Sequence, residues 1–522
     1  MPSRFTPSVS LAVTDTSLTV VGELAARMSD RRAAIVDGSI PRTLVGLALP
    51  LVAQNVVRVA QQVVDTFWLG RLGETAVAAV GLTIPVLGVL FALLVTPFVG
   101  TQILVSQRVG ADDDAGARRM VVHGFVLAVA VGAVVGGAVF LAADPAVRLV
   151  GAGPEVAPLA ALYLGVVALG LPLAGASDAI EAGFVGRGDS RASLWINVAT
   201  VAVNVVLDPI LIFGAGPIAG MGVRGAALAT VGGYAAGLCL ALVLALGPRM
   251  NLSRHHLTLT VADFRDLLSV GAPITGRQVV SQSVRVLLVS VVAIAGGAAG
   301  LAAYTIGARV ASVAVLPSRG LGQAAQSMVG QNVGADRPDR ARRTTRVGVA
   351  IAAGALACLG VVQWLVPAPV ARLFVPSLSG DGLALTVQYL TILAYGYPAI
   401  GAVDLLLAGF NGASRTRTSF VADLLKYWAV RLPVAALALP ATASVSLLGV
   451  TVAPGLDLGM PAVFWAVTGS NVVAAVGVGA YYARAVRGGL FADAAEDVGT
   501  TESETADDET ATDPDATADP TD

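Results

Sequence analysis

The chain has 522 residues, of which 55% are hydrophobic and only 13% charged, and its mean hydropathy is +0.77; a soluble domain carries about 25% charged residues, so a soluble globular protein is excluded. The net charge of −2 conceals two opposed regions, because residues 489–522 hold 12 Asp and Glu without a Lys or Arg, and the remainder sets 33 basic against 23 acidic residues. The two cysteines, Cys239 and Cys358, lie inside apolar runs and are expected to be core filler, not a disulfide framework or a metal site.

Residues 1–40 lack an apolar segment followed by a small-residue cleavage site, which predicts a cytoplasmic extension and not a signal peptide. From there apolar runs recur, each long enough to cross a ~30 Å hydrocarbon core. The short apolar–polar alternation of a membrane β-barrel is missing. Breaks at Gly, Pro and charge clusters predict spans near 44–69, 76–107, 118–142, 156–186, 191–214 and 221–247, making a first lobe over 41–247. A polar linker, 248–266, follows, and a second lobe over 267–488 holds spans near 268–296, 299–330, 343–366, 384–410, 416–440 and 461–485. The acidic tail, 489–522, lacks aromatic residues after Phe491 and is expected to stay disordered. The expected fold class is an all-α polytopic membrane protein, with twelve transmembrane helices in two pseudo-twofold-related six-helix bundles.

Arginine placement supports an even count. The N-terminal flank from Arg27, every second loop and the C-terminal flank carry 21 Arg, whereas the opposite loops carry only Arg71, Arg148, Arg224 and Arg372. That bias puts both termini in the cytoplasm. The lobes also repeat each other. "QRVGADDDAGARR" (107–119) matches "QNVGADRPDRARR" (331–343) at an offset of 224, and at that offset Gly188, Ser190, Arg191 and Pro209 meet Gly412, Ser414, Arg415 and Pro433. Two parallel repeats related by an axis along the membrane normal suit a transporter that binds its substrate between lobes and rocks.

Polar residues inside apolar spans are functional candidates by default. On the first span Asn55, Arg58, Gln62 and Asp65 are spaced as one helical stripe; on the fifth, Asn197, Thr200, Asn204 and Asp208 form another. At the 224 offset Asp65, Asn204 and Asp208 become Val289, Trp428 and Leu432. A merely structural role would recur in both lobes, so the acids mark an ion or proton site in the first lobe alone. A salt bridge from Asp65 or Asp208 to Arg58 is the structural alternative. Asp178 and Asp404 occupy equivalent places four residues before the two "AGF" runs, with Glu181 beside the first; these face either the cleft or the water boundary. Arg277, Gln278, Gln282 and Arg285 form a basic stripe on the seventh span, lining the cleft or neutralising acids of the tenth. His123 is expected to be an interfacial hydrogen-bonding residue, and His255–His256 have no further metal ligands nearby in sequence.

"DGSIPRTLVGLALPLVAQNVV", "VVDTFWLGRLGETAVAAVGL", "GRGDSR", "NVVLDPILIFG" and "GVRGAALAT", in this order and within a duplicated chain, resemble the multidrug and toxic compound extrusion (MATE) transporter family over residues 36 to 487. The resemblance implies a cation-coupled (Na⁺ or H⁺) antiporter exporting amphipathic, often cationic compounds. In the DinF-like branch, Asp65, Asn204, Asp208 and Thr230 match the cation site. Pro50 matches a proline that lets the first span bend, and Tyr163 matches a tyrosine near the site. Glu181 departs from that branch, which often has Asn there. The NorM branch places an acid on the seventh span, where this chain has Gln and Arg and keeps only Asp404 on the tenth; the DinF-like branch is therefore favoured. Tyr163, Asp178, Glu181, Gln62, Asn197, Arg277, Gln278 and Asp404 are the candidates for the substrate cleft or a relay. The expected partners are small amphipathic molecules and the lipid bilayer, without nucleic acid, for a monomer in the plasma membrane that needs no cofactor. A flippase for lipids or lipid-linked oligosaccharides is the rival, kept alive by Arg277, Arg285, Arg309 and Arg319.

Overall fold

The computed structural model describes residues 31–253, 258–443, 445–447, 450–452 and 455–511; His255 and His256 lie outside them. The first lobe is built from α1 (Ile40–Leu72), α2 (Glu74–Gly110), α3 (Asp114–Leu141), the short α4 (Ala143–Leu149), α5 (Ala157–Leu169), α6 (Leu171–Gly186), α7 (Ser190–Phe213) and α8 (Val223–Leu246). The second lobe holds α9 (Val261–Ala314), α10 (Leu316–Gly334), α11 (Pro338–Leu365), α12 (Pro367–Phe374), α13 (Gly380–Gly412) and α14 (Thr416–Leu424). A π-helical segment (Leu425–Arg431), α15 (Leu432–Ala436), α16 (Gly459–Arg487) and α17 (Leu490–Ala511) complete it. Antiparallel hairpins β1–β2 (Gly214–Ala215, Ile218–Ala219) and β3–β4 (Val445–Leu447, Val450–Val452) tie α7 to α8 and α15 to α16.

Twelve crossings result. Nine of the described helices are individually long and apolar enough to span a bilayer, and α5 with α6, bent by 44°, forms a tenth. The bend falls at Gly170-Leu171-Pro172, where proline removes a backbone donor. A straight 54-residue α9 would run about 80 Å, far beyond any bilayer. It breaks at Gly297, whose φ of 55° is left-handed, so its second half continues into α10 as a separate span. The α14–π–α15 run supplies the last. Helix starts at one face carry side-chain caps: Asp113 accepts from Gly116 N–H at 2.7 Å and Thr260 accepts from Asp263 N–H at 3.2 Å.

With an even number of crossings both ends of the span array emerge on one face, called here the terminal face. The lobes meet toward it. Gln107 Nε2 donates to Gly412 O at 2.9 Å, and its repeat counterpart Gln331 Nε2 donates to Gly186 O at 2.7 Å. Gln102 reaches Gln323 O at 3.0 Å and Ser327 reaches Val185 O at 2.8 Å. Leu44, Leu51 and Val185 of the first lobe share an apolar cluster with Leu321, Met328 and Leu405 of the second.

Three expectations are corrected here. The repeat offset of 224 holds through α2 and α10 but is 226 from α6 onward. Gly186 and Gly412 both abut the carbonyl of Gln102 or Gln326 and a valine, and the left-handed residues that follow are Gly188 and Ser414. Two extra residues before α13 therefore realign the fifth and eleventh spans, and Asp208 corresponds to Val434 and Asn204 to Val430. The tail does not begin as disorder: α17 starts at Leu490, where Leu490, Phe491 and Ala494 are buried against Leu406, Phe410 and Tyr482. An apolar stripe at helical spacing outweighs the acidic composition that follows it; residues 512–522 lie outside the described part. Cys239 and Cys358 are exposed on the outer surface of the helices instead of filling the core.

Candidate functional site

The polar seam of the first lobe joins α1 to α7, as the two stripes required, with Arg58 and Asp65 as expected but with Gln54 and Gln61 in place of Asn55 and Gln62. Gln54 Nε2 donates to Glu181 at 2.6 Å, Arg58 Nε donates to Asn197 Oδ1 at 2.7 Å, and the Gln61 amide lies 2.7 Å from that of Asn204. The inward stripe is thus Gln54, Arg58, Gln61 and Asp65, spaced 4, 3 and 4. Asn55 turns back to donate to Leu51 O, and Gln62 is exposed away from the seam. Both registers are helical, and a run with polar residues at 54, 55, 61 and 62 does not by itself say which member of each pair faces inward.

At the end of the seam away from the terminal face, Asp65 and Asp208 bring their carboxyl groups next to each other. Oriented to satisfy its neighbours, the Asn204 amide donates to Asp65 Oδ1 at 3.0 Å and accepts from Thr230 N–H at 3.2 Å. The Thr230 hydroxyl donates to Ala226 O, and Tyr163 lies beside that threonine. Asp208 is 2% exposed and its Oδ2 is buried without any partner. An ionised carboxylate only accepts hydrogen bonds, so two of them in contact attract only with a proton or a small cation between them. The set Asp65, Asn204, Asp208 and Thr230 is oxygen-rich, as hard cations prefer. Arg58 is not the counter-charge. It turns to Asn197 and lies 4.0 Å from Asp178.

Nearer the terminal face lies a second cluster. Glu181, 1% exposed, accepts from Gln54, from Ser193 at 3.0 Å and from Asn197 at 2.5 Å. Its lone pairs are occupied by neutral donors, with Arg58 and the half-buried Asp178 alongside. Ser193 and Gln54, absent from the sequence-based candidates, complete it. Pro50 lies inside α1 one turn before Gln54.

The second lobe differs in sign. Arg277 does not neutralise an acid of α13, because Asp423 of α14 sits closer, 2.5 Å from Arg277 and 3.0 Å from Lys426, the single lysine of the chain. Asp404 instead accepts from Ser318 at 2.9 Å, and Gln278 is exposed. At the 226 offset Asp423 corresponds to Asn197, the signal that would have found it. Among the described residues Arg431 bonds only neutral groups, Ser470, Asn471 and Val467 O, and lies over the Tyr427 ring. The π-helical winding of 425–431 rotates Lys426, Tyr427 and Arg431 into this cluster, a distortion frequent at functional sites. Replacing Asp423 by Asn is expected to leave two buried cations facing each other and to lower stability by about 3 kcal/mol; chemical unfolding in detergent, followed by tryptophan fluorescence, measures it.

His123 serves as an interfacial bridge: its Nδ1 lies 2.8 Å from Arg119 O, and its Nε2 accepts from Thr260 N–H at 3.0 Å. It holds the linker against α3.

Compared with known proteins, the chain matches the MatE family model over residues 50–210 and 273–437. It is 25% identical to an FAD transporter of Shewanella oneidensis, covering 78% of this chain and 90% of that one. It is 26% identical to a probable multidrug resistance protein NorM of Thermotoga maritima, over 76% of this chain and 85% of that one. Among solved structures it resembles one described as the outward-facing conformation of a multidrug resistance MATE family transporter, with TM-score 0.78, 23% identity, and coverage of 87% of this chain and 98% of that one.

Proposed function

The chain belongs to the MatE family of membrane transporters and is not an enzyme, and from that premise we propose that it is an antiporter exporting amphipathic small molecules by alternating access, coupled to Na⁺ or H⁺. The observation that carries this reading is the buried contact of Asp65 with Asp208 in one lobe only. Loading that pair with a cation, and emptying it, changes the charge buried in the first lobe. A bound ion shifts the balance between two lobe arrangements only through different affinity for each. The lobe contacts gathered at the terminal face correspond to the arrangement open on the opposite side.

Asp65, Asn204, Asp208 and Thr230 are proposed as the cation site, with Tyr163 beside it and Pro50 as the hinge of α1. Glu181, Asp178 and Asn197 are proposed as the relay or the cleft wall nearer the terminal face. These first-lobe acids favour the DinF-like branch, although several relatives bear the NorM name. The arginine bias favours cytoplasmic termini in the plasma membrane. The helices suffice for a monomer. The names of the relatives, multidrug resistance and FAD transport, weigh against a flippase.

A second reading concerns the charge of the cargo. Arg277, Arg285, Lys426 and Arg431 outnumber Asp404 and Asp423 on the second lobe, and Arg431 has no carboxylate within ion-pair distance among the described residues. This favours substrates that carry an anionic group besides their apolar part, consistent with a relative named for FAD.

The test is transport into inverted vesicles with a Na⁺ gradient and a pH gradient imposed separately. Uptake of a dye or drug is expected to accelerate under one of them. Equal rates with and without both gradients would remove the coupling.

A further inference from the structure

On the terminal face of the second lobe, outside the cleft, a cavity of about 350 Å³ opens between α11, α13 and α16. Arg342 and Arg346, one turn apart on α11, and Arg487 at the end of α16 line it, with Tyr482, Val349 and Leu406. None of the three arginines pairs with a carboxylate among the described residues, and Arg342 Nε is buried without a hydrogen-bond partner. Acids are close at hand on α17, yet Asp497 turns to Arg415 at 3.2 Å. Three guanidinium groups around one hollow repel each other unless an anion joins them. We propose that this cavity is a binding site for the phosphate headgroup of an anionic membrane phospholipid, a role independent of the transport reading.

The chemistry matches in three respects. Planar guanidinium forks bind phosphate oxygens in pairs, more firmly than ammonium groups do. The volume equals about a dozen water molecules, enough for a glycerophosphate headgroup. The position is the end of three membrane-spanning helices, where a headgroup lies. Val349 and Leu406 form the apolar wall, and the outer surface of α16 continues outward with Val476 and Tyr481, both more than half exposed, where acyl chains lie. Basic pockets between helices on the cytoplasmic side are the recurrent sites for anionic headgroups.

The test uses the full chain in detergent, with bound lipid counted by native mass spectrometry during titration with dioleoyl phosphatidylglycerol or dioleoyl phosphatidylcholine. Phosphatidylglycerol is expected to be retained at least tenfold more strongly. R342Q, R346Q and R487Q are each expected to weaken retention about tenfold, the worth of one charge-assisted contact. R148Q, at the opposite face, leaves it unchanged. Arg346 is exposed, so R346Q tests the site without threatening the fold. Wild-type retention in R346Q and R487Q together overturns the site. Complete displacement of phosphatidylglycerol by millimolar inorganic phosphate overturns the lipid as its occupant.

Discussion

Asp208→Asn is expected to reduce gradient-driven export at least about a hundredfold while membrane insertion and the unfolding midpoint stay near wild type. The charge is the reason. Asn keeps the volume and can donate to the neighbouring Asp65 carboxylate, so the packing of α7 against α8 survives. It cannot carry a proton, and as a neutral ligand it holds a cation more weakly by the worth of a charged contact, about 3 kcal/mol, or a factor near a hundred. Asp65→Asn should show the same loss. The two are expected to act as one unit, because their carboxyls lie against each other and the Asn204 amide donates to Asp65. The double variant should therefore fall no further than either single one. Equilibrium binding of a fluorescent substrate should remain in all three, since the cation pair changes which lobe arrangement is favoured and not the apolar walls. Export rates and dye binding measured in the same proteoliposomes separate these effects, and additive losses would sink the idea of a single site.

Glu181 offers an internal contrast. Its carboxylate is satisfied by Gln54, Ser193 and Asn197, whereas Asp208 keeps an empty oxygen. A satisfied acid has less left to offer an incoming ion. On the proposed reading that difference favours Asp65 and Asp208 over Glu181 as the coupling pair, while Glu181 also ties α1, α6 and α7 together.

Much of this arrangement was legible in the sequence because a membrane constrains composition so strongly. Apolar length set the spans, and polar residues at helical spacing set the seam. What escaped had local physical reasons. The choice between Gln61 and Gln62 depends on a rotation of one residue, and both lie within a helical stripe. The partner of Arg277 depended on a two-residue insertion between repeats, which a constant offset of 224 conceals, although the two "AGF" runs already stand 226 apart and the backbone at Gly188 and Ser414 agrees. α17 was missed because composition averages over a segment, whereas docking needs only Leu490, Phe491 and Ala494 at its start. The break at Gly297, by contrast, falls between the spans expected at 268–296 and 299–330.

The second large effect concerns how the lobes close. At the terminal face, Gly110 of α2 lies against the backbone carbonyl of Gln331, and Gly334 of α10 lies against that of Gln107. The two contacts are images of each other under the 224 offset, so they straddle the pseudo-twofold axis. A Cβ at either position would fall well inside van der Waals contact with backbone, which cannot rotate away as a side chain can. Gly110→Leu and Gly334→Leu should therefore forbid this closure without touching either lobe's interior. Overpacking of such a contact costs about 1–3 kcal/mol, and an equilibrium between two arrangements moves by one to two powers of ten for that amount. Spin labels at exposed Ala115 and Asp339, in a background with both native cysteines replaced, should report a longer distance across the terminal face in either variant than in the parent. Export should fall in step with the fraction opened, with cation and substrate binding retained. An unchanged distance distribution in both variants would mean that the lobes separate along some other seam, and that the glycines merely allow two helices to cross.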